Sequence, residues 1–321
     1  RLQDAARPTS EAGEEGLRNR HSGWKPLAVF LFFTVVVLGA GYAFFEQIAE
    51  SAKSDAAKAL ASIGKLKAEQ VRYYIERYEK NARSIARLLG QDGLTDWLGR
   101  GTAEMPAPWR EALLETMRNR DDDALLILDP GANIRFGVGQ YTRLSAEGRR
   151  LALKAATEAI TVASDIYPGD PAAPDQALLD IFVPIMNPER TRTAGVLVLR
   201  SNLSYLYGLI QTWPVESRSA ESVLVRKDGD HALFLNELRF RKQTALRMRV
   251  PLAAGKDFPA WASTMAARGE TGVWEALDYR SEPVLAHTLP VPGTGWGMVV
   301  KVDMEEVLAP VRKLKNTTIG V

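Results

Sequence analysis

The sequence contains no cysteine and only three histidines among its 321 residues. Without thiols it has no disulfides, iron–sulfur clusters, thiolate zinc sites or cysteine nucleophile. His21, His231 and His287 are too far apart to form a His-Glu-x-x-His zinc motif on one helix. We therefore predict no metal site and no cofactor.

An excess of charge of one sign is also missing. The 41 Lys and Arg residues nearly balance the 39 Asp and Glu residues, leaving a net charge of +2. This charge is too small to favour nucleic acid by bulk electrostatics, so we predict no nucleic-acid partner. The sequence shows no nucleophile elbow, Ser–His pair or paired-carboxylate motif, and we predict that it is not an enzyme.

One long hydrophobic run is present. The segment PLAVFLFFTVVVLGAGYAFF, residues 26–45, has 20 residues without a charge. About 20 helical residues match the ~30 Å hydrocarbon core of a bilayer. A signal peptide is the alternative, but its apolar region is usually about 7–15 residues and is followed by a small-x-small cleavage site. We therefore predict a retained transmembrane helix over 26–45.

Positive charges flank this run unevenly and predict its orientation. Arg18, Arg20 and Lys25 crowd the N-terminal side, whereas Lys53 and Lys58 lie at a comparable distance on the other side. By the positive-inside rule, we expect a cytoplasmic tail over 1–25 and the remainder of the chain outside the cell membrane.

A long amphipathic helical pattern follows the hydrophobic run. Its apolar residues recur mostly at steps of three and four and are Leu60, Ile63, Leu66, Val71, Tyr74, Tyr78, Ala82, Ile85 and Leu88. No proline interrupts 46–89, and Gly90 is a plausible stop. We predict a stalk helix over 46–92. Because so long a helix is unstable alone, we expect 51–67 to pack against a second copy in a homodimer.

Two similar units follow, and each has the order strand, turn, strand, helix and further antiparallel strands. Asp129-Pro130-Gly131 marks the turn of the first hairpin, and Asp228-Gly229 marks that of the second. We predict an α+β fold with two tandem lobes, 93–215 and 216–315. Each lobe is expected to contain an antiparallel sheet flanked by helices.

The stretch PVPGTGWGMVVKVD, residues 290–303, has the composition of either a phosphate-binding loop or a turn. A phosphate loop requires a helix directly after its glycines, because the helix N-terminus supplies the donors. Here the glycines are followed by MVVKVD, which is β-branched and strand-like. We therefore predict a hairpin turn.

Several segments resemble the double Cache sensor domains of bacterial receptors, whose lobes are PAS-like. YRSEPVLAHTLPVPGTGWGMVVKVDMEEVLAPVRKL resembles the membrane-proximal half, and IGKLKAEQVRYYIERYEKNARSIA resembles the first helix. LLILDPGANIRF and AGVLVLRSNLSYL resemble the first hairpin and the last strand-to-helix step of the membrane-distal lobe. The resemblance covers about residues 47–315.

The resemblance implies a receptor in the bacterial inner membrane with its sensor domain in the periplasm. It implies that 93–215 is a membrane-distal lobe that binds a small molecule and that 216–315 is membrane-proximal. It also implies that 316–321 begins a second membrane segment. The signal would then reach a cytoplasmic kinase, cyclic-dinucleotide or chemotaxis module, as in a two-component system.

The resemblance also points to ligand-binding residues. In amino-acid-binding members an arginine of an Arg-x-Trp-Tyr motif holds the carboxylate and a later aspartate pairs with the amine. Here Arg149 or Arg150 stands in the first place without the Trp-Tyr pair, and Arg200 falls where the acid is expected. A cation there favours an anionic ligand such as an organic acid, because guanidinium binds carboxylates bidentately.

The segment VASDIYPGD resembles the part of the distal lobe that contributes a pocket tyrosine. It nominates Asp165 and Tyr167, with Arg135, Tyr141 and Asp180 as neighbours. Each has a plainer interpretation: a core tyrosine, a turn or surface carboxylate, or an arginine that points outward from a strand. Arg200 at a strand end has the same alternative of being exposed.

The sequence leaves two other classes of function open. A sensor of this kind can act through a protein partner and bind no small molecule. A pilin-like structural protein also joins an apolar helix to a β-rich head, although the polar leader over 1–25 argues against it.

Overall fold

The computed structural model describes residues 24–90, 93–100, 104–118, 124–169 and 177–319. The chain divides into two units, one of residues 1–54 with 308–321 and the other of residues 55–307. Most of the predicted cytoplasmic tail (1–23), the end of the predicted stalk (91–92) and the end of the predicted second membrane segment (320–321) lie outside the described residues.

The predicted membrane and stalk helices form one continuous helix, α1 (Trp24–Leu89). Among the described residues it is the one helix whose length and composition suit a membrane crossing, and none of its apolar window is buried. The helix ends where predicted: the Gly90 N–H donates to the Ala86 carbonyl at 3.0 Å. A Cβ at Gly90 would lie 2.7 Å from the Met186 carbonyl oxygen, so this close approach requires glycine.

From residue 55 onward α1 buries one face, although not all of the predicted one. Leu60, Val71 and Tyr74 are buried as expected. Leu66 and Leu88 are exposed, whereas Lys67 and Leu89 are buried in the adjacent positions. The difference arises because the periodic pattern scored the larger apolar residues and excluded lysine from the core.

The distal lobe begins with α2 (Leu94–Gly99) and α3 (Ala107–Arg118). Its other elements are β1 (Ala124–Leu128), β2 (Ile134–Gly139), α4 (Ala146–Glu158), β3 (Val162–Ala163), β4 (Tyr167–Pro168), β5 (Ala177–Met186), β6 (Thr193–Asn202) and α5 (Ser204–Gln211). The antiparallel sheet has the order β2-β1-β6-β5-β3, and β4 also pairs with β5.

Alternating residues of the long strands give this sheet two buried faces. Leu179 and Leu199 belong to the core that includes α1. Phe182 and Val198 belong to a second core, where they meet Ala152 of α4. The sheet is therefore enclosed on both sides, and polar residues on the α4 face are shielded from water.

The proximal lobe repeats this antiparallel plan. Its elements are β7 (Glu221–Asp228), β8 (His231–Phe234), β9 (Arg249–Pro251), α6 (Trp261–Ala267), β10 (Gly272–Leu277), β11 (Pro283–Pro290), β12 (Trp296–Asp303) and α7 (Met304–Val307). The order is β10-β11-β12-β7-β8-β9. The structure thus confirms the predicted α+β class with two lobes, each with an antiparallel sheet flanked by helices.

The helical segment that follows β12 is divided into α7 and α8 (Ala309–Ile319). Pro310 explains the break, because proline has no N–H to donate to the preceding turn.

The glycine-rich segment is a hairpin turn, as predicted. It connects β11 to β12, and the Val291 N–H donates to the Trp296 carbonyl at 2.8 Å. Gly293 has a φ of 76°, in the region that favours glycine. A strand follows the glycines, so the segment lacks the helix N-terminus that a phosphate loop needs.

Candidate ligand site in the distal lobe

A buried ion pair lies on the α4 face of the distal sheet. Asp180 of β5 and Arg200 of β6 are direct register partners. The Arg200 Nε donates to Asp180 Oδ1 and its Nη2 donates to Oδ2, both at 2.8 Å. The two residues are only 1% and 3% exposed. A bidentate pair of this geometry fixes the position of the guanidinium plane.

The remaining polar atoms of the pair are also bonded. The Arg200 Nη1 donates to the carbonyl oxygens of Tyr141 and Arg143, the latter at 3.0 Å. The Tyr167 hydroxyl donates to Asp180 Oδ2 at 2.7 Å, and the Arg200 guanidinium lies 5.8 Å from the Tyr167 ring centroid. Four of the nominated residues, Tyr141, Tyr167, Asp180 and Arg200, therefore form one cluster.

The local sequence explains how these residues meet. Asp180 and Arg200 lie two residues from Phe182 and Val198, so strand alternation places all four on one face. The strap of residues 164–167 runs alongside β5 between β3 and β4, and the Ser164 N–H donates to the Asp180 carbonyl at 2.8 Å. This path brings the Tyr167 hydroxyl to the pair.

Burial and charge determine the protonation states in the cluster. Burial opposes the charged form of Arg200, but the hydrogen bonds to Asp180 outweigh it and raise the pKa of Arg200 above its usual value. Burial and the charge of Asp180 raise the pKa of Tyr167. At neutral pH the cluster thus contains a charged guanidinium on Arg200 and a neutral phenol on Tyr167 that donates to Asp180.

This arrangement removes the reason for favouring an anionic ligand. That prediction assumed a cation in place of an acid, but Asp180 lies directly opposite Arg200 and cancels its charge. The sequence interpretation nominated Asp180 but missed its pairing with Arg200, because the two residues are 20 positions apart on neighbouring strands. The plainer interpretations of an exposed Arg200 and a surface Asp180 are also wrong, since both side chains are buried.

Asp165 has its contacts with the proximal lobe. Its Oδ1 accepts from the Trp296 indole Nε1 at 2.9 Å, and its Oδ2 pairs with Arg226 Nη1 at 2.7 Å. The strap that carries Tyr167 is therefore tied to the β11–β12 hairpin and to β7. Sequence reasoning gave no signal for this link, because Asp165 and Trp296 are 131 residues apart.

The nominated arginines of the first hairpin and α4 have other partners. The Arg135 guanidinium lies 5.3 Å from the Trp97 ring centroid. Arg149 is exposed and its Nη1 lies 3.4 Å from Asn133 Oδ1. Arg150 pairs with Glu147 on its own helix. A ligand contact by Arg135 or Arg149 stays a prediction.

Lys67 is a functional candidate that the sequence analysis missed. It is 2% exposed, and its Nζ donates to the carbonyl oxygens of Leu209, Ile210 and Thr212, at 2.6 Å in the case of Thr212. Lys67 of α1 thus caps the C-terminal end of α5. Burial lowers the pKa of Lys67 to about 8. A lysine within an otherwise apolar stripe was the available signal.

A scan against protein-family models and a search of curated protein sequences each found no match. The fold does match solved structures. The ligand-binding domain of the Pseudomonas aeruginosa amino acid chemoreceptor PctB, in complex with L-Arg, has 19% identity and a TM-score of 0.53. The match covers 80% of this chain and 98% of that chain.

Two further structures match to a similar extent. The periplasmic sensory domain of the Campylobacter jejuni chemoreceptor Tlp1 has 12% identity and a TM-score of 0.54, over 81% of this chain and 99% of that one. The extracellular domain assigned to the histidine kinase soHK1S-Z6 has 16% identity and a TM-score of 0.55, over 84% and 99%. The chain therefore has the tandem-lobe, double Cache fold of bacterial receptor sensor domains.

Proposed function

We propose that the chain is the ligand-sensing region of a bacterial transmembrane receptor and that its distal lobe binds a small molecule at the Arg200–Asp180–Tyr167 cluster. The observation that carries this proposal is the buried, bidentate ion pair beneath α4. Buried ion pairs contribute little net stability compared with apolar residues, because desolvation offsets their attraction. This pair differs from a purely structural one because its guanidinium also holds the carbonyls of a loop, and we infer that it serves recognition.

The cluster offers a specific exchange of partners. Arg200 Nη1 is held by two backbone carbonyls of the loop after β2, and Tyr141 in that loop has a φ of 56°. This left-handed conformation is uncommon for a non-glycine residue. A ligand carboxylate replaces those carbonyls on Nη1 and releases the loop. Asp180 then suits a ligand that also carries an ammonium group, whereas an organic acid would use Arg200 alone.

Two connections lead from the cluster to the rest of the receptor. Strand β6, which carries Arg200, continues into α5, whose C-terminal end is capped by Lys67 of α1. The strap that carries Tyr167 reaches the proximal lobe through Asp165. A ligand that binds one arrangement of these contacts better than the other shifts the population of signalling states.

The same proposal includes a membrane location and a homodimeric assembly for the chain. Residues 26–45 cross the bacterial inner membrane, the two lobes lie on the periplasmic side, and a homodimer forms through the stalk part of α1. The exposed Leu66 and Tyr73 on that part of α1 support such a contact. The output is produced by a cytoplasmic module, and the sensor region itself is not catalytic.

A thermal-shift screen of the full chain in detergent micelles tests the proposal, with panels of organic acids, amino acids, amines and purines. A ligand at 100 times its dissociation constant adds about 2.7 kcal/mol of stability, which raises the midpoint by a few degrees. We expect a carboxylate-bearing hit whose shift is lost in Arg200→Ala and reduced in Tyr167→Phe. Tyr167→Phe keeps the aromatic ring, so it provides the test of the cluster if Arg200→Ala does not fold. A complete absence of hits would instead favour a sensor that acts through a protein partner or a structural role.

A further inference from the structure

An arginine-lined cleft lies on the distal lobe, away from the Arg200–Asp180 cluster. Its volume is about 460 Å³, within the range of small-molecule sites. It lies between the last turns of α1, the end of β5, the β5–β6 turn and the segment after α4. Along β5, Met186 of this cleft is about 20 Å from Asp180, and Val183, its nearest lining residue on that strand, is about 10 Å away and belongs to the core that includes α1. The cleft is therefore distinct from the cluster.

Three arginines line the cleft: Arg83 and Arg87 from α1, and Arg190 from the β5–β6 turn. Within the described part of the chain, its lining includes no carboxylate. Arg83 pairs with Glu79 at 3.1 Å, but no ion pair joins Arg87 or Arg190 to another described residue. An anion that enters therefore gains attraction mainly from Arg87 and Arg190, since the charge of Arg83 is partly compensated by Glu79.

The turn that presents Arg190 is held by its own hydrogen bonds. The Asn187 Oδ1 accepts from the N–H groups of Thr191 and Arg192 at 2.8 and 3.0 Å. The Arg190 N–H donates to the Asn187 carbonyl at 2.9 Å, and Arg190 has a φ of 55°. A non-glycine residue in this conformation is uncommon, and the surrounding bonds hold it there. The position of Arg190 is thus preorganised.

The rest of the cleft is largely apolar. Ala86, Val183, Pro184, Met186 and Pro188 line it together with the arginines. An apolar lining with a few convergent charges suits an organic anion better than a bare inorganic one. Guanidinium groups also match carboxylates in a bidentate geometry.

We propose that this arginine-lined cleft binds an organic dicarboxylate with an apolar body, as a second ligand site beside α1. Occupancy would draw the β5–β6 turn toward the last turns of α1, because the two elements supply the arginines from opposite sides. The site is independent of the Arg200–Asp180 cluster, so either proposal can fail without the other.

Binding of succinate, adipate and phthalate to the full chain in detergent micelles tests this site by isothermal titration calorimetry. Phthalamide is the uncharged counterpart of phthalate, and inorganic phosphate is the anion without an apolar body. We expect at least one dicarboxylate to bind in the millimolar range or tighter, and we expect phthalamide and phosphate to bind more weakly than that dicarboxylate. The affinity should fall as ionic strength rises, because exposed charges are screened.

The double variant Arg87→Gln/Arg190→Gln should weaken dicarboxylate binding by about tenfold or more, because two charged hydrogen-bond donors are lost. The control Arg110→Gln/Arg118→Gln removes two exposed arginines of α3 and should leave the affinity unchanged. All these side chains are exposed, so the melting midpoint without ligand should be retained in both variants.

Three results would overturn the proposal: no binding by any of the three dicarboxylates, equal binding by the arginine variant, or phosphate binding as tight as that of the best dicarboxylate. Tyr167→Phe separates the two sites. It should leave dicarboxylate binding at the cleft unchanged, whereas a loss in Tyr167→Phe alone would assign the anion to the Arg200–Asp180 cluster.

Discussion

The two lobes differ in what lies between the sheet and the helix that covers it. Both have six-stranded antiparallel sheets covered by a helix. In the distal lobe, α4 covers a face that includes the Asp180–Arg200 pair, and part of that pair is held by loop carbonyls. In the proximal lobe, α6 lies so close to the sheet that a Cβ at Gly297 would be 2.1 Å from the Ala266 carbonyl oxygen.

The buried charged residues of the two lobes also differ in the elements that they hold together. Lys301 in the proximal lobe lies 2.8 Å from both Glu221 and Asp278, so its partners come from the sheet and the turn after β10. Arg280 joins Asp278 to Asp303 at the end of β12. These bonds join strands and the turn after β10 to one another, whereas those of Arg200 also hold the loop after β2. The buried charges of the proximal lobe therefore bond within its sheet and turns, and those of the distal lobe also anchor a loop.

The largest effect is expected from Lys301→Met. Removal of one partner from a buried network leaves Glu221 and Asp278 without their ammonium group, which costs about 3–5 kcal/mol of unfolding free energy. Urea unfolding of the full chain, followed by tryptophan fluorescence, measures the loss. Lys227→Met is the control, because Lys227 is exposed on the same sheet and should cost little. A loss of unfolding free energy below ~1 kcal/mol for Lys301→Met would contradict the claim that this buried ion-pair network stabilises the proximal lobe.

The next largest effect is expected from Gly297→Ala, which should lower the free energy of unfolding by about 1–3 kcal/mol because the added Cβ has no room beside α6. Gly295→Ala is a matched control two residues earlier, where an added Cβ meets no atom within 4 Å. Thermal unfolding of the two variants gives the comparison. Equal midpoints would mean that α6 can move away from the sheet and that the proximal lobe is not tightly closed.

The buried Lys67 predicts that the free energy of unfolding depends on pH. Its pKa in the folded chain is about 8, below the ordinary value of 10.5. Between these values the unfolded chain binds more protons at this site, so the contribution of Lys67 to unfolding free energy rises with pH. Relative to Lys67→Met, the wild-type chain should gain on the order of 1–3 kcal/mol from pH 8 to pH 10.5. A difference that stays flat or falls would show that Lys67 is not held in a desolvated site.

The smallest effect concerns the link between the lobes. Trp296→Phe removes the indole donor to Asp165 and should cost about 0.5–1.5 kcal/mol. A double-mutant cycle with Asp165→Ala should show a coupling energy, because both changes remove the same bond. Trp274→Phe is the control: its indole donates to Thr288 within the proximal lobe at 2.8 Å, so its effect should add to that of Asp165→Ala. Additive effects of Trp296→Phe would argue against a tie between the strap and the hairpin.

Local patterns predicted most of the fold. The apolar run and the strand-like sequence after Gly297 depend on neighbouring residues, and the structure confirms the helix and the strand that they predicted. The helical periodicity predicted α1 but only part of its buried face. Pro310 is a local signal for the break between α7 and α8, because proline has no N–H to donate to the preceding turn.

The candidate site was only partly predictable. Tyr167, Asp180 and Arg200 were nominated from the sequence, but their mutual bonds depend on strand register, which places Asp180 opposite Arg200. The roles of Lys67 and Asp165 depend on partners more than a hundred residues away. The position of Lys67 in an apolar stripe was a local signal of burial, but the partners of both residues have no local signal in a single sequence.

The most direct test is a calorimetric titration of the wild-type chain and Tyr167→Phe with the compound that gives the largest thermal shift in the Arg87→Gln/Arg190→Gln variant, in which the arginine-lined cleft is disabled. We expect an affinity about tenfold weaker in Tyr167→Phe than in the wild type, because the variant lacks the hydroxyl that orients Asp180. Equal affinity in the two chains would contradict it and place recognition away from the Arg200–Asp180–Tyr167 cluster.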